Sequence, residues 1–204
     1  HVLYWKKLQA LNGVEDPKRL QPGTRLRIPV SWIQVRPASA TIVEMRGQAR
    51  ILRAGARSPV AASEGARLEL GDRLMADEGA SLTVGFADDS RLRLDGGGDL
   101  AFDQLSQYRD TGMVDTRLRL QQGELTNRVT PARGPGSRFE IRTPAAVSAV
   151  RGTRFRLRTD AAGVTRAEVI EGRVTVTGSG RTRRLDTGFG TWVGGGETPL
   201  EPQP

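Results

Sequence analysis

The feature that most constrains this chain is a series of short, alternating apolar runs separated by turns that contain glycine. Leu82, Val84 and Phe86 alternate with polar residues, and so do Phe139 and Ile141. Alternation with a period of two predicts half-buried β-strands. The sequence contains 25 glycines and 11 prolines, and only 5% of its residues are aromatic, a composition that disfavours long helices. We therefore expect a mainly all-β protein.

Glycine stands between two apolar strand segments at three places. These are LRLQQGEL at 118–125, EVIEGRVTV at 168–176 and, more loosely, LELGDRL at 68–74. A strand that changes direction sharply needs a backbone conformation that glycine adopts without a Cβ clash. The pattern predicts a curled β-roll or solenoid-like domain of short strands, and the alternative is a β-sandwich.

The residue types present exclude most catalytic and metal-binding chemistry. There is no cysteine, and the only histidine is His1 at the end of the chain. A catalytic triad, a thiolate nucleophile and a histidine-bound zinc therefore have no source. Two carboxylates alone can hydrolyse a glycoside, but most acidic residues lie in predicted turns and form no recognisable catalytic motif. We expect a non-enzymatic protein with no catalytic residues, no metal site and no cofactor.

The chain is strongly basic, with a net charge of +8, and all but three of its 31 basic residues are arginine. These arginines stand singly or at alternate strand positions, as Arg91 and Arg93 do, without interleaved aromatic residues. The arrangement indicates solvated strand faces and argues against a nucleic-acid partner. An Arg-rich domain that binds polyanions is an alternative. No apolar run is long enough for a transmembrane segment.

The N-terminal residues differ from the rest. Leu3, Leu8 and Leu11 have helical spacing, Asn12-Gly13 is a stop signal, and residues 26–28 read as a brief strand. This small α/β segment suggests the following domain organisation: an N-terminal module at 1–33, a linker at 34–43, a β domain at 44–193 and a flexible tail at 194–204.

The stretch YWKKLQALNGVEDPKRLQPGTRLRIPVSW resembles the C-terminal part of a LysM module, a small peptidoglycan-binding unit, although the first strand of that family is missing. The resemblance implies half of a site for a glycan that contains N-acetylglucosamine. That half-site consists of Asn12, Gly13, Val14, Asp16 and Pro17. The other interpretation is that these residues only shape a turn.

The remaining three-quarters of the chain resembles the FecR domain. The similarity lies in GDRL at 71–74, SLTVGFADDSRLRL at 81–94, RLRLQQGEL at 117–125, FEIRTPAAVSAVRGTRF at 139–155 and VIEGRVTV at 169–176. It implies an extracytoplasmic all-β interaction domain in the periplasm or cell envelope, named for a regulator that passes signals from an outer-membrane transporter to a sigma factor. The resemblance also implies a structural or partner-binding role for Arg151, Gly152, Thr153, Glu171 and Gly172.

The segment Val-Arg-Gly-Thr at 150–153 breaks the alternation of its strand. If the strand is straight, Arg151 points inward and needs a carboxylate partner, for which Glu168 and Glu171 are candidates. If Gly152 forms a corner, Val147 and Val150 reach the core before it and Arg151 emerges at the bend. We favour the corner.

These observations predict a non-enzymatic cell-envelope protein. The LysM-like segment would associate with peptidoglycan, and the FecR-like domain would bind a protein or saccharide partner. One alternative is a FecR-type regulatory or sensor protein in transmembrane signalling, and another is the polyanion-binding domain described above.

Overall fold

The computed structural model describes residues 4–204, which divide into two compact units between Gln34 and Val35. The first unit contains the helical segments, and the second is built from strands. In the part of the chain that the structure describes, no helix is long and apolar enough to cross a membrane.

The N-terminal unit contains helix α1, Trp5–Leu11, and two short 3₁₀ helices, Pro17–Arg19 and Val30–Trp32. The predicted strand at 26–28 is wrong, because no strand is present there. The Arg27 N–H instead donates to the Asn12 side-chain oxygen at 2.7 Å, and the Arg27 carbonyl accepts from the Asn12 amide at 3.0 Å. Leu3 lies outside the described residues.

The second unit contains seventeen strands, most of them short. They are β1 Val35–Pro37, β2 Ala40–Arg46, β3 Ala49–Leu52, β4 Val60–Ala61, β5 Arg67–Leu68, β6 Arg73–Ala76, β7 Ser81–Gly85, β8 Arg91–Asp95, β9 Asp99–Tyr108, β10 Val114–Arg128, β11 Arg138–Arg142, β12 Val147–Val150, β13 Arg154–Thr159, β14 Thr165–Glu171, β15 Arg173–Gly178, β16 Arg181–Asp186 and β17 Gly190–Val193.

Backbone pairing joins these strands into two sheets that share the long strand β10. Sheet I runs β4-β3-β6-β9-β10-β11-β12-β15-β16, with β1 also paired to β9. Sheet II runs β5-β2-β7-β8-β10-β13-β14-β17. The first part of β10 pairs in sheet I and the part after Gly123 pairs in sheet II. All of these pairings are antiparallel except β10–β11. Because β10 belongs to both sheets, the sheets are continuous and form a curled roll.

Most passages of the chain from one sheet to the other contain a glycine with a positive φ angle. A left-handed backbone turns the strand sharply and is readily adopted only by glycine. The glycines at these corners are Gly47, Gly65, Gly71, Gly79, Gly97, Gly123, Gly152, Gly172 and Gly188. The prediction of an all-β, curled domain of short strands with glycine corners is thus confirmed.

The core lies between the two sheets and is filled by the inward residues of the alternating strands. Phe102 and Leu118 of sheet I and Leu92 and Phe155 of sheet II are completely buried. Burial of such side chains is the main favourable contribution to folding. The alternation seen in the sequence correctly identified Leu82, Val84, Phe86, Phe139 and Ile141 as facing the interior.

The predicted linker at 34–43 is wrong from residue 35 onward. Residues 35–37 form β1, in which Val35 pairs with Tyr108, and residues 40–46 form β2. Ala40 and Ile42 are completely buried. Small residues around position 38 suggested a flexible joint, but the alternating pattern continues through Ile42 into the core.

The predicted flexible tail is also wrong, because it lies along β17. The backbones of Gly190 and Gln203 exchange hydrogen bonds of 2.8 and 3.0 Å. The Thr191 hydroxyl donates to the Leu200 carbonyl at 2.8 Å, and Pro199 is buried. The tail has few apolar residues, but its backbone groups form hydrogen bonds with backbone groups of the edge strand β17.

Candidate functional site

The Val-Arg-Gly-Thr segment forms a corner between β12 in sheet I and β13 in sheet II. Gly152 has φ +61°, and a Cβ atom there would lie 3.0 Å from the Cα of Pro131. Val150 enters the core before the corner, and Arg151 is exposed at the bend. Val147 is only half-buried, because Ser148 occupies the inward position next to Val150. The corner explains the broken alternation, although the expectation that Val147 lies in the core is wrong.

The Thr153 hydroxyl connects this corner to the Glu-Gly-Arg-Val corner at 171–174. It donates to the Arg173 carbonyl at 2.7 Å and accepts from the Arg173 N–H at 3.2 Å. Gly172 has φ +89°, and a Cβ atom there would lie 3.0 Å from the carbonyl oxygen of Gly152. The two sequence motifs therefore meet in space, and side chains larger than glycine would separate them.

Neither of the two acidic residues considered as partners for Arg151 forms an ion pair with it. Glu171 is exposed at the end of β14, with Arg154 as its partner in the strand pairing. Glu168 forms an ion pair with Arg156 at 3.5 Å. Within the described part of the chain Arg151 has no ion pair, so its guanidinium is available at the surface.

A shallow hollow lies beside the Gly152 corner. Its floor is apolar and is formed mainly by Val114, Val129, Phe139 and Val150. Phe139 is fixed from below by an edge-to-face contact with Phe86, at 5.6 Å between ring centroids. Charged residues line the hollow as well; they are Asp88, Arg133, Arg138 and Arg151. We call this feature the corner hollow.

Hydrogen bonds hold the walls of the corner hollow together. The Thr130 N–H donates to the Ser90 hydroxyl oxygen at 3.0 Å, and the Ser90 hydroxyl donates to the Asp88 carboxylate at 2.9 Å. The Val129 N–H donates to the Thr153 carbonyl at 2.9 Å. The β7–β8 turn, the loop after β10 and the Gly152 corner thus form a preorganised surface.

Three arginines next to the corner hollow are in direct register across sheet II. Arg91 of β8 pairs with Arg128 of β10, which pairs on its other side with Arg154 of β13. All three side chains are exposed, and none has an ion pair or side-chain hydrogen bond within residues 4–204. We call these three residues the arginine row.

Several arginines of sheet I are arranged differently, because each of them bonds to a carboxylate. The Arg119 guanidinium donates two hydrogen bonds to the Asp103 carboxylate, at 3.0 and 2.8 Å. Comparable pairs are Arg73–Asp99, Arg117–Asp115, Arg142–Glu140 and Arg173–Asp186. Hydrogen bonds to these carboxylates raise the pKa of Arg73, Arg117 and Arg119 above its usual value.

The residues of the predicted glycan half-site form local turns. Asn12 bonds to Leu8 and Arg27, Gly13 has φ +61°, and the Val14 N–H donates to the Gln9 carbonyl. The Asp16 carboxylate accepts the Lys18 N–H at 2.9 Å at the start of the Pro17–Arg19 turn. The polar atoms of Asn12 are thus engaged inside the unit, and peptidoglycan binding stays a prediction. Among the described residues no group of three acidic, histidine or cysteine side chains is placed to hold a metal ion.

Sequence reasoning identified the Gly152 and Gly172 corners but missed the arginine row. Alternate positions in the sequence show that Arg91, Arg128 and Arg154 face outward. They do not show that β8, β10 and β13 are neighbours in this register, which depends on pairing between distant segments.

Comparison with known proteins supports the assignment suggested by the sequence. A family model described as "FecR protein" matches residues 72–175, just over half of the chain, and no curated protein matches. Two crystal structures of a "putative anti-sigma factor" from Parabacteroides distasonis ATCC 8503 are similar, with TM-scores of 0.53 and 0.52. Each match has 17% identity and covers 64% of this chain and 58% of the other chain. At this identity the likeness shows the fold alone.

The matched residues 72–175 contain both glycine corners, the arginine row and the whole lining of the corner hollow, and do not extend into the N-terminal unit. The chain therefore belongs to the FecR family.

Proposed function

We propose that this chain is the extracytoplasmic, protein-binding part of a FecR-type regulatory protein in transmembrane signalling. The observation that carries the proposal is that the family match contains the entire corner hollow. The description of two proteins of the same fold as a "putative anti-sigma factor" also favours a regulatory role. In this proposal a partner protein binds at the corner hollow.

The corner hollow has the physical properties of a protein-binding surface. Val129 and Phe139 line its floor between charged residues, so an apolar side chain of a partner that reached the floor would gain by leaving water there. Arginine is among the residues that contribute most at interfaces, and Arg151 stands free at the rim. Since the walls are already joined by hydrogen bonds, binding would order few groups.

This function requires that the chain bind a partner protein and that its affinity for the partner, or its position, then change. It requires no bond-forming chemistry in the chain. Attachment to peptidoglycan through the N-terminal unit remains a separate prediction. The regulatory proposal does not depend on it, because the corner hollow is lined only by residues of the second unit.

The test is a comparison of transcripts in the host organism. Deletion of the gene is expected to change the abundance of a set of transcripts, and Arg151→Glu is expected to reproduce that change because it reverses the charge at the hollow. Arg57→Glu is the control, since Arg57 is also exposed and unpaired among the described residues but lies outside the hollow. Unchanged transcripts in the deletion strain, under conditions in which the wild-type protein is present in the envelope, would refute the proposal.

A further inference from the structure

We infer that the arginine row is a recognition site for a short acidic segment of the partner protein. This inference rests on the proposed function, because it specifies the chemistry of the segment that continues outward from the corner hollow. It assigns Arg91, Arg128 and Arg154 to specificity for carboxylates.

The register of the row places like charges opposite each other. Residues directly opposite each other on antiparallel strands have Cβ atoms about 4.5–5.5 Å apart, and like charges in such positions repel. Arg128 has an arginine opposite it on both neighbouring strands. The free protein is therefore destabilised by this arrangement, and a bound anion would remove the repulsion.

Sheet I contains a pair of opposed arginines with which the row can be compared. Arg119 and Arg142 are also directly opposite each other, in sheet I. However, Arg119 bonds to Asp103 and Arg142 bonds to Glu140 at 2.8 Å. Both arginines of the opposed pair in sheet I thus bind carboxylates, whereas no member of the row in sheet II does; Glu171 lies opposite Arg154 but forms no ion pair with it among the described residues.

The row lies next to the corner hollow in the sequence. Arg128 directly precedes Val129 of the hollow floor, and Arg91 directly follows Ser90, which binds the loop after β10. Arg154 follows the Gly152 corner. A segment that places an apolar side chain in the hollow would therefore carry its neighbouring residues over the row.

The surroundings of the row favour a short acidic segment over a long polyanion. Glu171 is the strand partner of Arg154, and the next exposed arginine along β13, Arg156, pairs with Glu124 and Glu168. A long polyanion would meet these carboxylates on either side. Two or three carboxylates fit the row, since each guanidinium can bind a carboxylate through two parallel hydrogen bonds.

The test measures binding of a fluorescein-labelled hexaglutamate peptide at low ionic strength by fluorescence anisotropy. The full chain is compared with the triple variant Arg91→Gln, Arg128→Gln, Arg154→Gln. The control triple is Arg25→Gln, Arg57→Gln, Arg181→Gln, which removes the same charge from exposed arginines that have no ion pair among the described residues. We expect the row variant to bind about tenfold more weakly and the control to bind like the wild type.

Equal binding by the two triple variants, or no binding by the wild type, would overturn the inference. Duplex DNA that binds at least as tightly as the peptide, with the same dependence on the row, would also overturn it in favour of a general polyanion surface. The labelled hexaglutamine peptide is expected not to bind.

The transcript experiment separates this inference from the proposed function. If the row variant loses the peptide but leaves transcripts unchanged while Arg151→Glu alters them, the regulatory proposal stands and the assignment of the row to the partner is wrong. If the deletion itself changes no transcript, the regulatory proposal fails and the inference falls with it. Loss of both peptide binding and the transcript response in the row variant supports both proposals.

Discussion

Sheet I and sheet II enclose the same core, but the opposed arginines of sheet I bind carboxylates and those of the arginine row in sheet II do not. On sheet I, Arg73, Arg117 and Arg119 each bond to an aspartate, and these bonds raise the pKa of the three arginines. On sheet II, the arginine row has no carboxylate within bonding distance among the described residues. The two faces therefore differ in pairing, although both consist of alternating strands rich in arginine.

This difference shows that arginine content alone does not reveal what a strand face does. Paired arginines on sheet I contribute modestly to stability, since exposed ion pairs are typically worth about 0–1 kcal/mol. Unpaired arginines in register reduce stability by a similar amount. A basic face that lowers the stability of its own domain is the stronger candidate for binding.

The largest expected effect comes from Asp72, the most buried carboxylate among the described residues, in the turn between β5 and β6. It is 3% exposed and accepts hydrogen bonds from Arg53 at 2.7 Å and from the Ala54 and Glu69 N–H groups at 3.0 Å. Asp72→Asn places an amide among these donors. We expect the free energy of unfolding, measured in urea, to fall by about 2–4 kcal/mol.

Asp103→Asn is the control for this prediction, because Asp103 forms an exposed pair with Arg119. Its expected loss is about 1 kcal/mol or less. A loss for Asp72→Asn no larger than that of Asp103→Asn would show that burial does not distinguish the pairs of this domain.

The second prediction concerns a substitution that gives the arginine row a carboxylate, as the arginines of sheet I have. Arg128→Glu removes two like-charge contacts and places a carboxylate between Arg91 and Arg154. We expect the free energy of unfolding to rise by about 0.5–1.5 kcal/mol while hexaglutamate binding is lost. Arg57→Glu should change neither quantity appreciably. A destabilised Arg128→Glu variant would contradict the claim that the row carries uncompensated repulsion.

The third prediction applies one substitution to both sheets. Arg119→Thr should lower the free energy of unfolding and Arg128→Thr should raise it, each by a few tenths of a kcal/mol to about 1 kcal/mol. Because both positions lie on β10 and threonine is favourable in strands, the sign of the difference reports the electrostatic setting. Thermal or urea unfolding at low and high salt would check this, since salt should reduce both effects. Effects of the same sign would remove the contrast between the sheets.

Local sequence was sufficient to predict the alternating strands of the second unit and several of their glycine corners. The failure of alternation at Val150 and Arg151 indicated a bend, and Gly152 has the left-handed backbone that such a bend requires. These features depend on residues close together in the sequence, so periodicity and glycine positions reveal them.

Long-range pairing could not be predicted in the same way. Residues 35–37 looked like a linker because nothing near them in the sequence shows that β9 would accept them as a partner. The bond between Asn12 and Arg27 could not be predicted for the same reason. The same holds for the register of the arginine row. Each depends on which distant segments become neighbours, and a single sequence does not contain that information.

The smallest expected effect concerns acid sensitivity, and it follows from the pairing on sheet I. The Arg173 guanidinium on β15 donates to the Asp186 carboxylate on β16 at 2.7 Å, and this hydrogen bond lowers the pKa of Asp186. A carboxyl group with a lower pKa in the folded than in the unfolded state stabilises the protein at neutral pH. That contribution is lost as the pH falls through the folded-state pKa. Asp186→Asn should therefore reduce the difference in unfolding free energy between neutral and strongly acidic solution, as measured by urea unfolding.

Asp89→Asn is the matched control, because Asp89 is exposed, forms no ion pair within the described residues and has a positive φ that asparagine also adopts. It should leave the acid dependence unchanged, and an equal effect of the two substitutions would contradict the prediction. The arginine row has no carboxylate within bonding distance among the described residues, so acid has no paired carboxylate to protonate there. Acid should therefore weaken the pairing on sheet I while leaving the repulsion on sheet II intact, so the two faces differ in pH response as well as in pairing.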